Sequence, residues 1–220
     1  MSDIFSVTDF AFPYDKLRFP GQASDERILY VGRESAIMLY LRLAFVFVAA
    51  LMLTAVAMLI ISTLSNFLGN PVTILSLTAL ILGFLFGMIG AWWMYTTWKK
   101  SIFVITNRRL TKFIYVTPWN RYNLSVTLDM IEDTGAYSRG YFQALLHIGT
   151  FTARSAAGNR EEKYFFVDNV EHGEDLANYV NKVLFMFKHD VSKLDTFRPF
   201  VSAKSGDRDQ QIKDHPEFTS

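Results

Sequence analysis

Two stretches of this chain run without a charge for longer than a soluble fold tolerates. Residues 43–61 read LAFVFVAALMLTAVAMLII, and residues 72–98 read VTILSLTALILGFLFGMIGAWWMYTTW. A helix needs about 20 apolar residues to cross a hydrocarbon layer of roughly 30 Å. A core helix of a soluble bundle keeps a polar face, and neither stretch has one. The pattern predicts a transmembrane hairpin over residues 36–98, with helices at about 41–63 and 73–98. The connector, residues 62–71, is short and uncharged, with Gly69, Asn70 and Pro71 as turn residues.

The basic residues avoid that connector. Lys16, Arg18, Arg27, Arg33 and Arg42 precede the first helix, and Lys99, Lys100, Arg108, Arg109 and Lys112 follow the second. Cytoplasmic flanks of membrane helices carry the excess of Lys and Arg, so both termini are expected in the cytoplasm. Arg42 stands at the entrance of the first helix, where its long stem can reach the headgroups. Trp92, Trp93, Tyr95 and Trp98 crowd the exit of the second, as an interfacial aromatic belt does. Gly83, Gly87 and Ala91 recur every fourth residue, a spacing that lets helices approach closely. They serve either packing within the hairpin or a homodimer face. Neither span holds an Asp, Glu, Lys or His at mid-depth, which argues against ion-coupled transport by this chain alone.

Beyond Lys100 the period changes. Short β-branched and aromatic runs at 101–106, 110–116, 122–128, 131–137, 149–154 and 163–167 alternate with turn residues. The turns include Asn107-Arg108, Thr117-Pro118-Trp119-Asn120 and Ala157-Gly158-Asn159. Residues 141–147 read as a helical turn or a loop. A helix follows over about 173–187, with Leu176, Val180, Val183, Leu184 and Phe187 as its apolar stripe. Glu174 and Asp175 suit its N-terminal dipole end, and Lys188 and His189 its C-terminal end. Short strands closed by one amphipathic helix imply an α+β domain, a strongly bent antiparallel sheet or open barrel capped by that helix, over residues 99–189.

The run Thr106-Asn107-Arg108-Arg109-Leu110 after an apolar strand resembles the bacterial pleckstrin-homology (PH-like) domains attached to a pair of membrane helices. So do Leu128-Asp129-Met130-Ile131-Glu132-Asp133, Leu145-Leu146-His147-Ile148-Gly149-Thr150 and Phe166-Val167-Asp168-Asn169-Val170, in that order. Asp25-Glu26-Arg27-Ile28-Leu29-Tyr30, ahead of the first helix, fits the same order, so the resemblance spans residues 25–186. It implies about seven strands, a C-terminal helix over one opening, a bacterial inner-membrane location, and no catalytic residues to carry over.

The chain carries few of the residue patterns that chemistry requires. There is no cysteine, so disulfides, thiolate metal sites and a cysteine nucleophile are excluded. The four histidines, His147, His172, His189 and His215, stand in no two-ligand spacing, and no phosphate-binding or nucleophile-elbow motif appears. Neither metal nor cofactor is expected, and the chain reads as a non-enzyme. The cluster Glu171-His172-Gly173-Glu174-Asp175 reads as helix-start charge and capping. A formal net charge of +1, from 22 basic and 21 acidic residues, gives no case for nucleic acid.

The lipid bilayer is the first expected partner. Lys99 and Lys100 leave the helix directly, and each basic residue near an anionic leaflet is worth about 1 kcal/mol. A seven-residue strand standing upright reaches roughly 23 Å, so the next turn returns to the membrane. Trp119 and Arg121, with Arg42, Trp98, Lys99 and Lys100, are therefore expected at the headgroups. Arg108, Arg109 and Lys112 would then face the cytoplasm, a partner or anion, or carboxylates of their own domain; a strand lying flat reverses the assignment. The function expected is a membrane-tethered interaction or scaffold module that binds a protein, anionic headgroups or a second copy. The alternative is an accessory part of an export, envelope-stress or antimicrobial-resistance system.

At the ends, residues 1–35 form a cytoplasmic segment with no signal-peptide pattern. Phe5, Phe10, Phe12, Tyr14 and Phe19 suggest partial order, against the domain or in the headgroups. Residues 190–220 are polar and mixed in charge, and a disordered tail is expected there.

Overall fold

In a computed structural model the described residues are 2–7, 10, 14, 17–68, 72–138, 141–146, 148–156, 164–201 and 213–218. Two compact units emerge: residues 36–98, and residues 1–35 together with 99–220.

The first unit is built of helices α1 (Ala36–Leu68) and α2 (Val72–Lys100). Both are long and apolar enough to cross a membrane, and only 6% of each apolar window is buried. Phe45, Leu51, Leu59, Ile74 and Phe84 are among the side chains left exposed. A buried core helix of a soluble protein would hide most of such a surface. α1 begins at Ala36, ahead of the expected residue 41, so Arg42 lies inside its second turn.

Small residues of α2 meet α1. Gly87 is buried, and a Cβ there would sit 3.5 Å from the Ala50 Cβ. A Cβ at Gly83 would overlap the Thr54 hydroxyl, and one at Gly90 would crowd Val46. Gly83 and Gly87 lie at the close approach within the hairpin, and Ala91 is half-buried. Gly83→Leu is expected to cost about 1–3 kcal/mol of hairpin packing and to lower the thermal aggregation midpoint in detergent. Gly87→Ala, with room for a methyl, should leave that midpoint unchanged. Equal damage from both would contradict this contact.

In the second unit, strands β1 (Ser2–Asp3) and β2 (Leu17–Arg18) pair in parallel. A four-stranded antiparallel sheet follows, in the order β3 (Ile28–Gly32), β4 (Ile102–Thr106), β5 (Arg109–Tyr115) and β6 (Arg121–Thr127). A second, three-stranded sheet holds β7 (Ile131–Tyr137), β8 (Ile148–Ser155) and β9 (Tyr164–Glu171), with the short helix α3 (Tyr141–Leu145) between its first two strands. Helix α4 (Gly173–His189) comes last. Seven antiparallel strands and a closing helix are what the pleckstrin-homology resemblance implies.

The sheets meet over one core. Phe103, Ile105 and Leu110 of the first sheet join Phe151, Phe165 and Val167 of the second in one cluster, and Leu176, Val180 and Val183 of α4, which packs on β7 and β8, complete it. The other face of the first sheet is covered too. Ile4, Tyr14, Leu17 and Phe19 of the N-terminal segment pack on Ile28, Val31, Ile102, Val104 and Phe113. Burial on both faces explains why β4 reads IFVI without alternation: every residue of it is buried. Gly32 is needed at the end of β3, because a Cβ there would come within 2.5 Å of the Phe103 ring.

Three expectations change. Residues 1–35 are not a separate segment: β3 is an edge strand of the domain sheet, with Val31 opposite Val104 and Gly32 opposite Phe103. Nor does the domain stop at residue 189, because Leu194, Phe197 and Phe200, three residues apart, are buried in its core. The Phe200 N–H donates to the Leu29 carbonyl at 3.1 Å. A polar average over 190–220 hides that short apolar repeat. Finally, His172, the residue ahead of α4, makes no side-chain capping bond; it stands in the left-handed conformation, φ 53°, and the acids Glu174 and Asp175 lie in the first turn. His147 and residues 157–159 lie outside the described residues.

Candidate functional site

The turn between β4 and β5 is held by side-chain and backbone bonds from several distant segments. Two residues, Asn107 and Arg108, separate the strands. The segment ahead of β3 wraps around them. The Arg27 N–H donates to Asn107 Oδ1 at 3.0 Å, and the Asn107 N–H returns a bond to the Arg27 carbonyl at 3.1 Å. Asn107 Nδ2 also donates to Asp195 Oδ1 at 3.2 Å. Arg109 sends Nε and Nη2 to the two oxygens of Glu26, each at 2.9 Å. The Glu26 side chain is 1% exposed and that of Arg109 27%. The Thr106 hydroxyl donates to Glu26 at 2.8 Å, and the Ala23 N–H to its other oxygen at 3.1 Å.

Burial by itself would raise the Glu26 carboxyl. The bonds from Arg109, Thr106 and Ala23 more than offset it, so the group is held below the usual carboxylate range. The pair is a bidentate, desolvated ion pair, which is geometrically specific and costly to break singly. Arg109 is thus engaged by a carboxylate of its own domain.

Arg108 is half-exposed and pairs with Asp25. It opens onto a cleft of about 450 Å³ that Asp25, Asp129, Asp195 and Val191 also line. Three carboxylates around one guanidinium suit a cationic group better than an anion. Lys112 points between the sheets, and its Nζ donates to the Phe166 carbonyl at 2.8 Å. Burial pushes its ammonium down, while Asp168 and Glu34 act in the opposite direction.

Close by, Asn169 in the left-handed conformation, φ 56°, gathers the end of the β3 segment. Its Nδ2 donates to Glu34 Oε1 at 2.6 Å, its carbonyl accepts from the Ser35 N–H at 2.8 Å, and Gln143 Nε2 donates to its Oδ1 at 2.9 Å. The Ser35 hydroxyl donates to Glu171 at 2.8 Å. Sequence reasoning misses this polar staple just beyond the C-terminal end of β3. Its only signal is an Asn at a strand end, a residue that tolerates the left-handed region.

The turn between β5 and β6 carries a third surface. Trp119 is 73% exposed, Val116 60% and Tyr122 51%. Lys100 Nζ donates to the Pro118 carbonyl at 2.9 Å and lies 5.4 Å from the centre of the Tyr115 ring. Arg121 lies over Phe5 at 5.3 Å and Phe113 at 5.7 Å. The expected set Lys100, Trp119 and Arg121 is therefore gathered around one turn. Trp98 and Lys99 are half-buried, and Arg42 is exposed.

No family model matches the chain, and no curated protein matches it. One solved structure does. It is a DUF1696 family protein with a pleckstrin-homology domain from Shewanella loihica PV-4, 20% identical, with a TM-score of 0.29, covering 40% of this chain and 70% of that one.

Proposed function

We propose that this chain is a non-catalytic, membrane-tethered PH-like interaction module. The hairpin crosses the bacterial inner membrane with both termini in the cytoplasm, and the domain presents a binding surface at the inner leaflet. The observation that carries this reading is the insertion, between the paired strands β3 and β4, of two apolar helices of which only 6% of each apolar window is buried. Water would not tolerate that much contiguous apolar surface, whereas hydrocarbon solvates it. The basic flanks supply the orientation.

Binding rather than catalysis is supported by how the domain uses its ionisable groups. Arg109 and Glu26 hold a turn, Lys112 bridges the sheets, and Glu34 and Glu171 hold Asn169 and Ser35. The partners of this module are a protein, a second copy or anionic headgroups. The exposed turn with Val116, Trp119 and Tyr122 would rest in the headgroup layer beside Lys100, the last residue of α2.

The chain lacks cysteine, so single-cysteine labelling tests the topology directly. Asn66→Cys should react with an impermeant maleimide in spheroplasts with intact inner membranes, and Lys188→Cys only after permeabilisation. The reverse pattern overturns the orientation. Cross-linking in intact membranes should recover a recurrent partner or a second copy; recovery of neither overturns the module reading. For the turn, a variant retaining Trp119 alone, with Trp92, Trp93 and Trp98 changed to Phe, should be quenched more by lipids brominated near the headgroup than by lipids brominated at the chain ends. Fluorescence insensitive to both would remove the turn from the bilayer.

A further inference from the structure

Residues 213–218, Lys-Asp-His-Pro-Glu-Phe, return to the domain and dock on two arginines. The Arg27 guanidinium lies 4.5 Å from the centre of the Phe218 ring. Arg198 Nη2 donates to the Phe218 carbonyl at 2.8 Å. Both arginines are fixed from behind. Arg27 donates to the carbonyls of Asp195 and Phe197, and the Arg198 carbonyl accepts from the Tyr179 hydroxyl at 2.7 Å. The Tyr179 ring packs at a tilt against Phe197 and Phe200, which anchor this surface to the core. The segment is shaped for the contact: the Phe218 N–H turns back to the His215 carbonyl, and His215 Nδ1 lies 2.9 Å from Glu217 Oε1. The Nε of Arg198 is buried and without an acceptor, so the receptor side has a donor left over.

We propose that Arg27 and Arg198 form a docking site for a short segment that carries a carboxylate beside an aromatic residue, and that in this chain residues 213–218 fill it as an intramolecular strap. The chemistry is specific. A guanidinium face prefers an aromatic ring, and a second guanidinium takes the backbone carbonyl of the same residue. A carboxylate next to the ring, here Glu217, adds charge complementarity. Its own backbone N–H and His215 hold that carboxyl below its usual range, and Arg27 acts in the same direction. Lys213, Asp214, Pro216 and Glu217 are exposed and His215 and Phe218 half-buried, so the strap takes little of its own surface out of water. The strap is therefore exchangeable, and a peptide of the same chemistry in trans competes with it. This inference goes beyond the membrane-module reading and stands without it.

The test uses the full chain in detergent, spin-labelled at Lys182→Cys on α4 and at Lys213→Cys, an exposed position at the start of the strap. Electron–electron distance measurement should give one narrow population. Phe218→Ala, a change on the strap itself that leaves the core untouched, should turn it into a broad one. Adding a peptide with the sequence of residues 209–220 in about hundred-fold excess over the chain should broaden it as well, and the same peptide carrying Phe218→Ala should not. A broad distribution in the labelled parent overturns the proposal, as does a narrow one that survives Phe218→Ala. Failure of the parent peptide to displace the strap overturns recognition in trans.

Discussion

Replacing residues 36–98 with a short polar turn is expected to yield a chain that stays in solution without detergent and unfolds in one cooperative step. Strands β3 and β4 are antiparallel neighbours, with Gly32 opposite Phe103 at the end of the ladder. Everything between them is an insertion into what would otherwise be a hairpin. An Asn-Gly pair between Ser35 and Lys99 leaves eight residues between Gly32 and Ile102, a local connection of the length that joins neighbouring elements in compact domains. The core of the domain lies in Leu29, Phe103, Phe151, Phe165, Val180 and their neighbours, all outside the excised segment. The exposed apolar side chains of α1 and α2 leave with it. Sedimentation after ultracentrifugation and a thermal melt followed by circular dichroism decide the matter. A chain that still partitions with membranes, or that melts without a transition, would mean that the domain depends on its helices.

Glu26→Ala should be the most damaging single change in the domain. It leaves the Arg109 guanidinium, 27% exposed, without its carboxylate and takes the acceptor from the Ala23 N–H, while the Thr106 hydroxyl loses Glu26 and is left with the Arg109 carbonyl. Breaking a buried pair from one side costs about 3–5 kcal/mol, and the partial exposure of Arg109 brings the expectation to about 2–4. For a domain of this size that lowers Tm by roughly 5–15 °C. The pair also makes stability depend on pH. Because the folded carboxyl titrates below its unfolded value of 4.5, its contribution is fully present above that value. The contribution is lost as pH falls through the lower, folded value. Glu26→Gln should therefore be less stable than the parent at neutral pH, and the two should converge as pH drops below the ordinary carboxylate range. A gap that persists unchanged into acid would show that the charge of Glu26 is not what stabilises the turn. The excised, soluble chain is the convenient form for these melts if the first prediction holds.

The sequence was sufficient wherever one chemical pattern had one physical consequence. Uncharged runs of this length leave hydrocarbon as the solvent that suits them, so both long helices were legible, although α1 starts at Ala36 rather than at residue 41. The turns at Asn107-Arg108 and Thr117–Asn120 were legible for the same reason, since strand residues stop there and turn residues start. The apolar stripe of α4 emerged from its period alone, with Leu176, Val180, Val183 and Leu184 buried.

What lay between distant segments was not legible. Strand β3 looks like any short apolar run before a membrane helix. That it pairs with β4 depends on a partner on the far side of the whole hairpin. The same holds for Glu26, which reads as one acid among many until the fold brings it 2.9 Å from Arg109. It holds again for Phe197 and Phe200, whose polar neighbours outweighed them in composition although burial selected them. Local periodicity is a property of neighbours along the chain, and the sequence carries it openly. Which segments meet, and hence which charges are paired and which surfaces remain to bind something, is decided by the packing of the whole domain.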